Sequence, residues 1–248
     1  MKHRLEIFSS REGLNQAAAE YFIKVARTSI QDHGIFSAAL SGGSTPEPVY
    51  RKLGSLENKA WVDWDNIHLF WGDERCVLPD HPDSNYRMVR EALLDHISIP
   101  EENVHRVLAE YEPHIAAQTY EARLRDFFKG DYPKFDLVFL GMGDDGHTAS
   151  LFPHSAGLKE EDRWFIENYA PAMDTWRLTL TKNAINAARH IAVLVVGDSK
   201  ADTLVDVLEG DHQPDEKPIQ LIDPKNGQMV WFLDQAAAIK LSDQENEQ

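Results

Sequence analysis

Between Phe135 and Ser150 the chain reads Phe-Asp-Leu-Val-Phe-Leu-Gly-Met-Gly-Asp-Asp-Gly-His-Thr-Ala-Ser, an apolar run that empties into a glycine-rich loop with two carboxylates and one histidine. His147 can hold or release a proton near neutral pH. Gly141, Gly143 and Gly146 let the backbone come close to a ligand. These residue types suit general acid–base chemistry on a small molecule. Asp144, Asp145 and His147 could in principle ligate a metal, but no second histidine or cysteine stands at a supporting spacing. No metal site is expected.

Three further groups have the same placement, each just past an apolar run. Ser41-Gly42-Gly43-Ser44-Thr45-Pro46 offers free amides at a helix start, with Thr45 expected as N-cap and Pro46 at the first helical position. Such a turn can cradle a phosphate or can be an ordinary strand-to-helix connection. It lacks the lysine and spacing of a P-loop, and it does not match the dinucleotide fingerprint. Gly72-Asp73-Glu74-Arg75 sets three charges at a strand end, where Arg75 supplies fixed donors. Gly197-Asp198-Ser199-Lys200 opens an expected helix with Asp198 or Ser199 as its cap and places a cation in the first turn, where the helix dipole disfavours it. A nearby anion would account for that lysine. Arg177 is a further cation at the start of an extended segment. Cys76 reads as a small packed side chain, with no adjacent histidine to activate it.

The elements that must hold these groups alternate. Apolar runs at Phe36–Leu40, Ile67–Trp71, Phe135–Leu140, His190–Val196 and Met229–Leu233 read as strands, with Leu5–Phe8 as an edge strand. Helical patterns lie between them at Leu14–Ile30, Pro46–Leu53, Tyr86–Leu94, Ile115–Phe128, Asn183–Ala188 and Ala201–Leu208. The alternation implies an α/β fold: a mostly parallel, Rossmann-like sheet flanked by helices on both faces, in a single domain over residues 1–248. All four chemical groups would then fall on one edge of one sheet, beyond the carboxyl ends of its strands. That coincidence points to a site for a phosphorylated small molecule. Pro153–Thr175 reads as a long irregular segment of the kind that forms lids or binding loops. Glu209–Pro218 reads as a solvated connection, and the tail 242–248 as frayed.

Composition narrows the class. A formal net charge of −16 argues against a nucleic-acid surface, so any anion site must concentrate a few cations locally. One cysteine excludes an internal disulfide framework and fits a reducing compartment. No leader-like or membrane-length apolar run is visible, so a cytoplasmic location is expected.

Taken together and in order, Ser41–Pro46, Gly72–Arg75, Ser84-Asn85, Gly141–Pro153 and Gly197–Lys200 resemble the 6-phosphogluconolactonase family, over about residues 5 to 240. The resemblance implies the fold shared with glucosamine-6-phosphate deaminases and hydrolysis of 6-phosphogluconolactone to 6-phosphogluconate in the pentose phosphate pathway, without a cofactor. The deaminase branch carries a catalytic glutamate five positions after the histidine. Here that position is Phe152, which cannot move protons. A non-catalytic sugar-phosphate sensor is the other reading, and the presence of a proton carrier speaks against it. What the resemblance implies for the site is His147 as general base on water, Asp145 orienting it, and Arg75 stabilising developing negative charge, with glycine-loop amides as competitors. Gly42, Gly43, Ser44 and Thr45 would bind phosphate with Lys200 and Arg177. Asp73 and Glu74 are site residues without an assigned role.

Overall fold

In the computed structural model, residues 4–55 and 57–242 are described. β1 (Arg4–Phe8) leads into α1 (Arg11–His33), β2 (Phe36–Leu40), α2 (Glu47–Leu53), β3 (Ile67–Trp71) and the short β4 (Asp73–Arg75). Next come α3 (Asn85–Ala92), β5 (Val104–His105), α4 (Pro113–Phe128), β6 (Leu137–Gly141), β7 (Phe165–Ala170) and β8 (Thr175–Leu180). The chain then runs through α5 (Lys182–Asn186), β9 (His190–Val195), α6 (Ala201–Leu208) and β10 (Gln228–Asp234).

Seven strands pair in parallel in the order β1-β10-β9-β6-β2-β3-β5. All five residues of β2 are buried, as are the first four of β6. Continuous burial, without alternation, means that both faces of the sheet are covered, which is why these strands read as unbroken apolar runs. From β2 the chain winds outward through β3 to β5, and from β6 it winds the other way through β9 to β10. The winding direction therefore reverses between β2 and β6. In an open parallel sheet that reversal splays the two following loops apart and leaves a crevice at the strand ends.

Helix α1 shows local and tertiary signals agreeing. Ser10 caps its start by accepting from the Gly13 amide, and Gly34 ends it in the left-handed conformation at φ 88°. Leu14, Ala18, Phe22, Val25 and Ala26 make its buried face. Phe22 stacks on Phe139 of β6 and meets Phe36 of β2 edge-on.

The segment Pro153–Thr175 departs from the expected irregular loop. It contains β7, which pairs with β8, and β8 pairs in turn with β4, forming a small antiparallel sheet in the order β4-β8-β7. Its sequence hides this because Asn168, 2 % exposed, occupies a buried strand position. The Asn168 amide donates to the Ser150 carbonyl and the Ser155 hydroxyl, and its oxygen accepts from the Gly157 amide. Such partners are tertiary and leave no local pattern. Two helix starts also differ from expectation. α2 begins at Glu47 with no side-chain cap from Thr45, and a 3-10 turn at Asp198–Lys200 precedes α6, so neither Asp198 nor Ser199 caps it. Of the tail 242–248, all but Ser242 lies outside the described residues. Among the described residues, no helix is long and apolar enough to cross a membrane.

Candidate active site

The crevice at the strand reversal is a cleft of about 560 Å³. The loops after β2, β6 and β9 line it together with β4, so the four groups singled out by sequence meet in one place. Gly42, Gly43, Ser44 and Thr45 form one wall, and Asp73 and Arg75 another. Gly143, His147 and Lys200 complete the arrangement.

His147 is positioned by its own loop. Its Nδ1 lies 2.6 Å from Asp145 Oδ1, the same oxygen that accepts the His147 amide at 3.1 Å. With a carboxylate on Nδ1, the proton sits on that nitrogen, leaving Nε2 as the acceptor. Nε2 has no partner among the described residues. Gly143 is required here: a methyl group in its place would stand 2.1 Å from the imidazole Nδ1. The Gly143 amide donates to the His147 carbonyl at 2.8 Å and closes the turn. Phe152, nearly buried, packs its ring 4.8 Å from the imidazole. Burial works to raise the Asp145 carboxyl, but the hydrogen bond and charge of His147 with backbone amides outweigh it and hold the group at about 2. Asp145 is therefore ionised throughout the neutral range.

β4 sorts its three charged residues by the period of a strand. Asp73 and Arg75 share the face toward the cleft, while Glu74 points the other way and is 2 % exposed. The Glu74 carboxylate accepts the backbone amides of Arg75, Asn85 and Tyr86 at 2.7–2.8 Å. It thereby caps α3 alongside Ser84, whose hydroxyl accepts from the Arg87 amide. Glu74 is thus a helix cap. Burial pushes its carboxyl up to about 7 against the pull of these amides. Asp73 accepts from the Ser150 hydroxyl at 2.8 Å, which ties the histidine loop to the small sheet. Arg75 Nη1 donates to the Asp83 carbonyl at 2.6 Å, which holds the guanidinium in place.

The cations fall out differently from the sequence reading. Lys200 lines the cleft and pairs with Asp144 at 2.6 Å, so an anion does stand beside it, supplied by the chain itself. Arg177 does not line the cleft. It sits opposite Arg75 in the β4–β8 register, donating to Thr175 and to the Trp176 carbonyl. Burial first, and then the charge of Arg75, hold its guanidinium below the usual value. In its place the structure brings Arg11, at the start of α1, into the cleft, where it donates to the Ser44 carbonyl. The signal was present, since Arg11 is also a cation in a first helical turn, the argument that singled out Lys200. Asp234 at the end of β10 lines the cleft too, accepting the Gly197 and Ala237 amides. Cys76 is half-buried, and burial raises its thiol to about 11, consistent with an inert side chain.

Residues 9–231 match the family model for glucosamine-6-phosphate isomerases/6-phosphogluconolactonase. The 6-phosphogluconolactonase of Nostoc sp. is 40 % identical over 246 residues, covering 98 % of this chain and 100 % of the relative. The corresponding Synechocystis sp. protein is 44 % identical over 216 residues, 86 % of this chain and 87 % of its own. The 6-phosphogluconolactonase structure from Trypanosoma cruzi superposes with a TM-score of 0.84 at 29 % identity, covering 98 % of both chains. With a matching model over most of its length and relatives of this similarity, the chain belongs to the glucosamine-6-phosphate isomerase/6-phosphogluconolactonase family.

Proposed function

We propose that this chain is an enzyme that hydrolyses 6-phosphoglucono-1,5-lactone to 6-phosphogluconate in the pentose phosphate pathway, with His147 Nε2 as the general base. The observation that carries the mechanism is the Asp145–His147 pair. It leaves one acceptor-ready nitrogen, unpartnered among the described residues, on a residue that lines a cleft with cations at its rim.

A water molecule on Nε2 loses its proton to the imidazole as its oxygen attacks the lactone carbonyl. Negative charge develops on the carbonyl oxygen, and Arg75 stands on the cleft wall to stabilise it, with the Gly143 loop as neighbour. When the tetrahedral intermediate collapses, the bond from the carbonyl carbon to the ring oxygen breaks. The imidazolium returns its proton to that oxygen, giving a hydroxyl and a carboxylic acid, which releases its proton to solvent and leaves as the carboxylate. Asp145 stabilises the imidazolium and fixes the ring orientation. The phosphate rests on the Gly42–Thr45 amides between Lys200 and Arg11, and this remote dianion places the carbonyl for attack. Arg177, opposite Arg75 in the β4–β8 register, contributes through its charge. Phe152, where a deaminase carries its glutamate, presents only an apolar ring to the imidazole.

The test is the initial rate of hydrolysis of the phosphorylated lactone over its spontaneous opening. Wild type should exceed background strongly, and His147→Ala should lose a hundredfold to ten-thousandfold, the usual worth of a general base. A His147→Ala rate equal to wild type would remove His147 from the chemistry. Wild type at background would remove the lactonase reading, and ammonia release from glucosamine 6-phosphate would then be measured. Lys200→Ala and Arg11→Ala should each raise KM for the phosphorylated lactone and leave the unphosphorylated one unaffected. An equal loss on both lactones would move the phosphate elsewhere.

A further inference from the structure

Ala149 lines the cleft two residues beyond His147, and its backbone is left-handed at φ 47°. A residue with a Cβ disfavours that region by about five- to thirtyfold, and alanine has no polar atom to offset the loss. It stands second in a turn that the Leu151 amide closes by donating to the Thr148 carbonyl at 2.9 Å. Glycine, asparagine or aspartate normally fills such a position when φ is positive. The turn reverses the chain, and the residue that follows it, Phe152, comes back to pack its ring 4.8 Å from the His147 imidazole. The imidazole is thus held twice, by the Asp145 carboxylate at Nδ1 and by the Phe152 ring.

The residue after Ala149 accounts for this conformation. Ser150 is 2 % exposed, and its three polar groups are all engaged by buried side chains. Its hydroxyl donates to Asp73 Oδ2 at 2.8 Å, its amide donates to the Thr179 hydroxyl at 3.2 Å, and its carbonyl accepts from Asn168 Nδ2 at 2.8 Å. One partner comes from each strand of the small sheet: Asp73 from β4, Asn168 from β7 and Thr179 from β8. On the other side of Ala149, the Thr148 hydroxyl donates to the Gly141 carbonyl at 2.8 Å. Asn168 also donates to the Ser155 hydroxyl, which in turn donates to the Phe152 carbonyl at 2.8 Å. Strained backbone persists only where its surroundings over-determine it, and here they do. Resting on the lactonase reading above, we propose that Ser150 is a positioning residue for His147. Its three bonds impose the left-handed turn at Ala149, and the turn carries Phe152 onto the imidazole, fixing the ring for its work as base. Ser150 itself stays buried and acts through the imidazole.

Double-mutant cycles test this, with kcat and KM measured on 6-phosphoglucono-1,5-lactone above its spontaneous opening. Ser150→Ala should lower kcat about five- to tenfold, the worth of one hydrogen bond, with KM little changed. In an Ala149→Gly background the same substitution should cost no more than about twofold, because glycine takes the left-handed region without a clamp. In a His147→Ala background it should again cost no more than about twofold, since the residue through which it acts is gone. Equal losses with and without Ala149→Gly would overturn the proposal. So would a full additional loss on top of His147→Ala. A fall in unfolding free energy with kcat of the folded fraction at wild type would make Ser150 a scaffold residue only, and the proposal would fail. Should Ser150→Ala not give folded protein, Thr179→Val, which removes the acceptor of the Ser150 amide, takes its place in both cycles. Wild type at background would instead sink the lactonase reading and this proposal with it, a result that no comparison between variants can give.

Discussion

At the residue scale the site is a division of labour between two adjacent aspartates. Asp145 holds the imidazole, whereas Asp144, one position earlier, neutralises Lys200. Asp145→Asn keeps the shape but can settle the imidazole in the wrong tautomer, and kcat should fall by about a hundredfold or more with little change in KM. A wild-type kcat in this variant would mean that the loop alone orients His147. Asp144→Asn should act oppositely. An exposed carboxylate that competes for the lysine is worth about 0.5–1 kcal/mol, so removing it should lower KM for the phosphorylated lactone two- to fivefold. A raised KM would show that Asp144 positions Lys200 and does not compete for it. Both aspartates are plain in the sequence, but their roles are separated only by which cation or ring each one reaches.

At the scale of elements, the small antiparallel sheet is what turns a parallel α/β scaffold into this site. β4 delivers Asp73 and Arg75 to the cleft and turns Glu74 inward to start α3. Glu74 also gives a pH signature. Its carboxyl is at about 7 in the folded chain and has an ordinary value near 4.5 when unfolded, so the folded state binds the proton more tightly. The stability from this group is present below about pH 4.5 and is lost as pH rises through 7. Glu74→Gln should remove that slope in denaturant titrations across this window, with a constant loss of about 1–3 kcal/mol from the amide left unpaired. An unchanged slope would place the proton linkage on another group. Strands β2, β3, β6, β9 and β10 were legible because burial on both faces writes an unbroken apolar run. β7 was not, since its buried Asn168 is paid for by Ser150, Ser155 and Gly157, which no local window contains.

For the whole molecule, the site depends on the sheet holding β2 and β6 side by side at the winding reversal. Phe139 follows directly on that register in β6, fully buried and packed against Phe22 and Tyr50. Phe139→Ala should cost about 3–5 kcal/mol of unfolding free energy, measured in denaturant, while kcat of the folded fraction stays near wild type. A large fall in kcat at full folding would mean that the cavity propagates into the cleft. The net charge of −16 makes the local cations more telling, because Arg11, Arg75 and Lys200 gather at one cleft in a chain whose overall field repels anions.

Composition, strand patterns and glycine-bounded motifs determined by themselves the α/β class and the sheet edge on which His147, Asp145, Arg75 and Lys200 gather. These are legible because apolar periodicity and residue chemistry are local properties of the chain. Only the tertiary structure decided that Arg11 enters the cleft, that Arg177 pairs opposite Arg75 in the small sheet, and that Glu74 caps a helix. Each of those depends on which segments distant in sequence become neighbours, and on which face of a strand or helix a side chain emerges once the segments are packed.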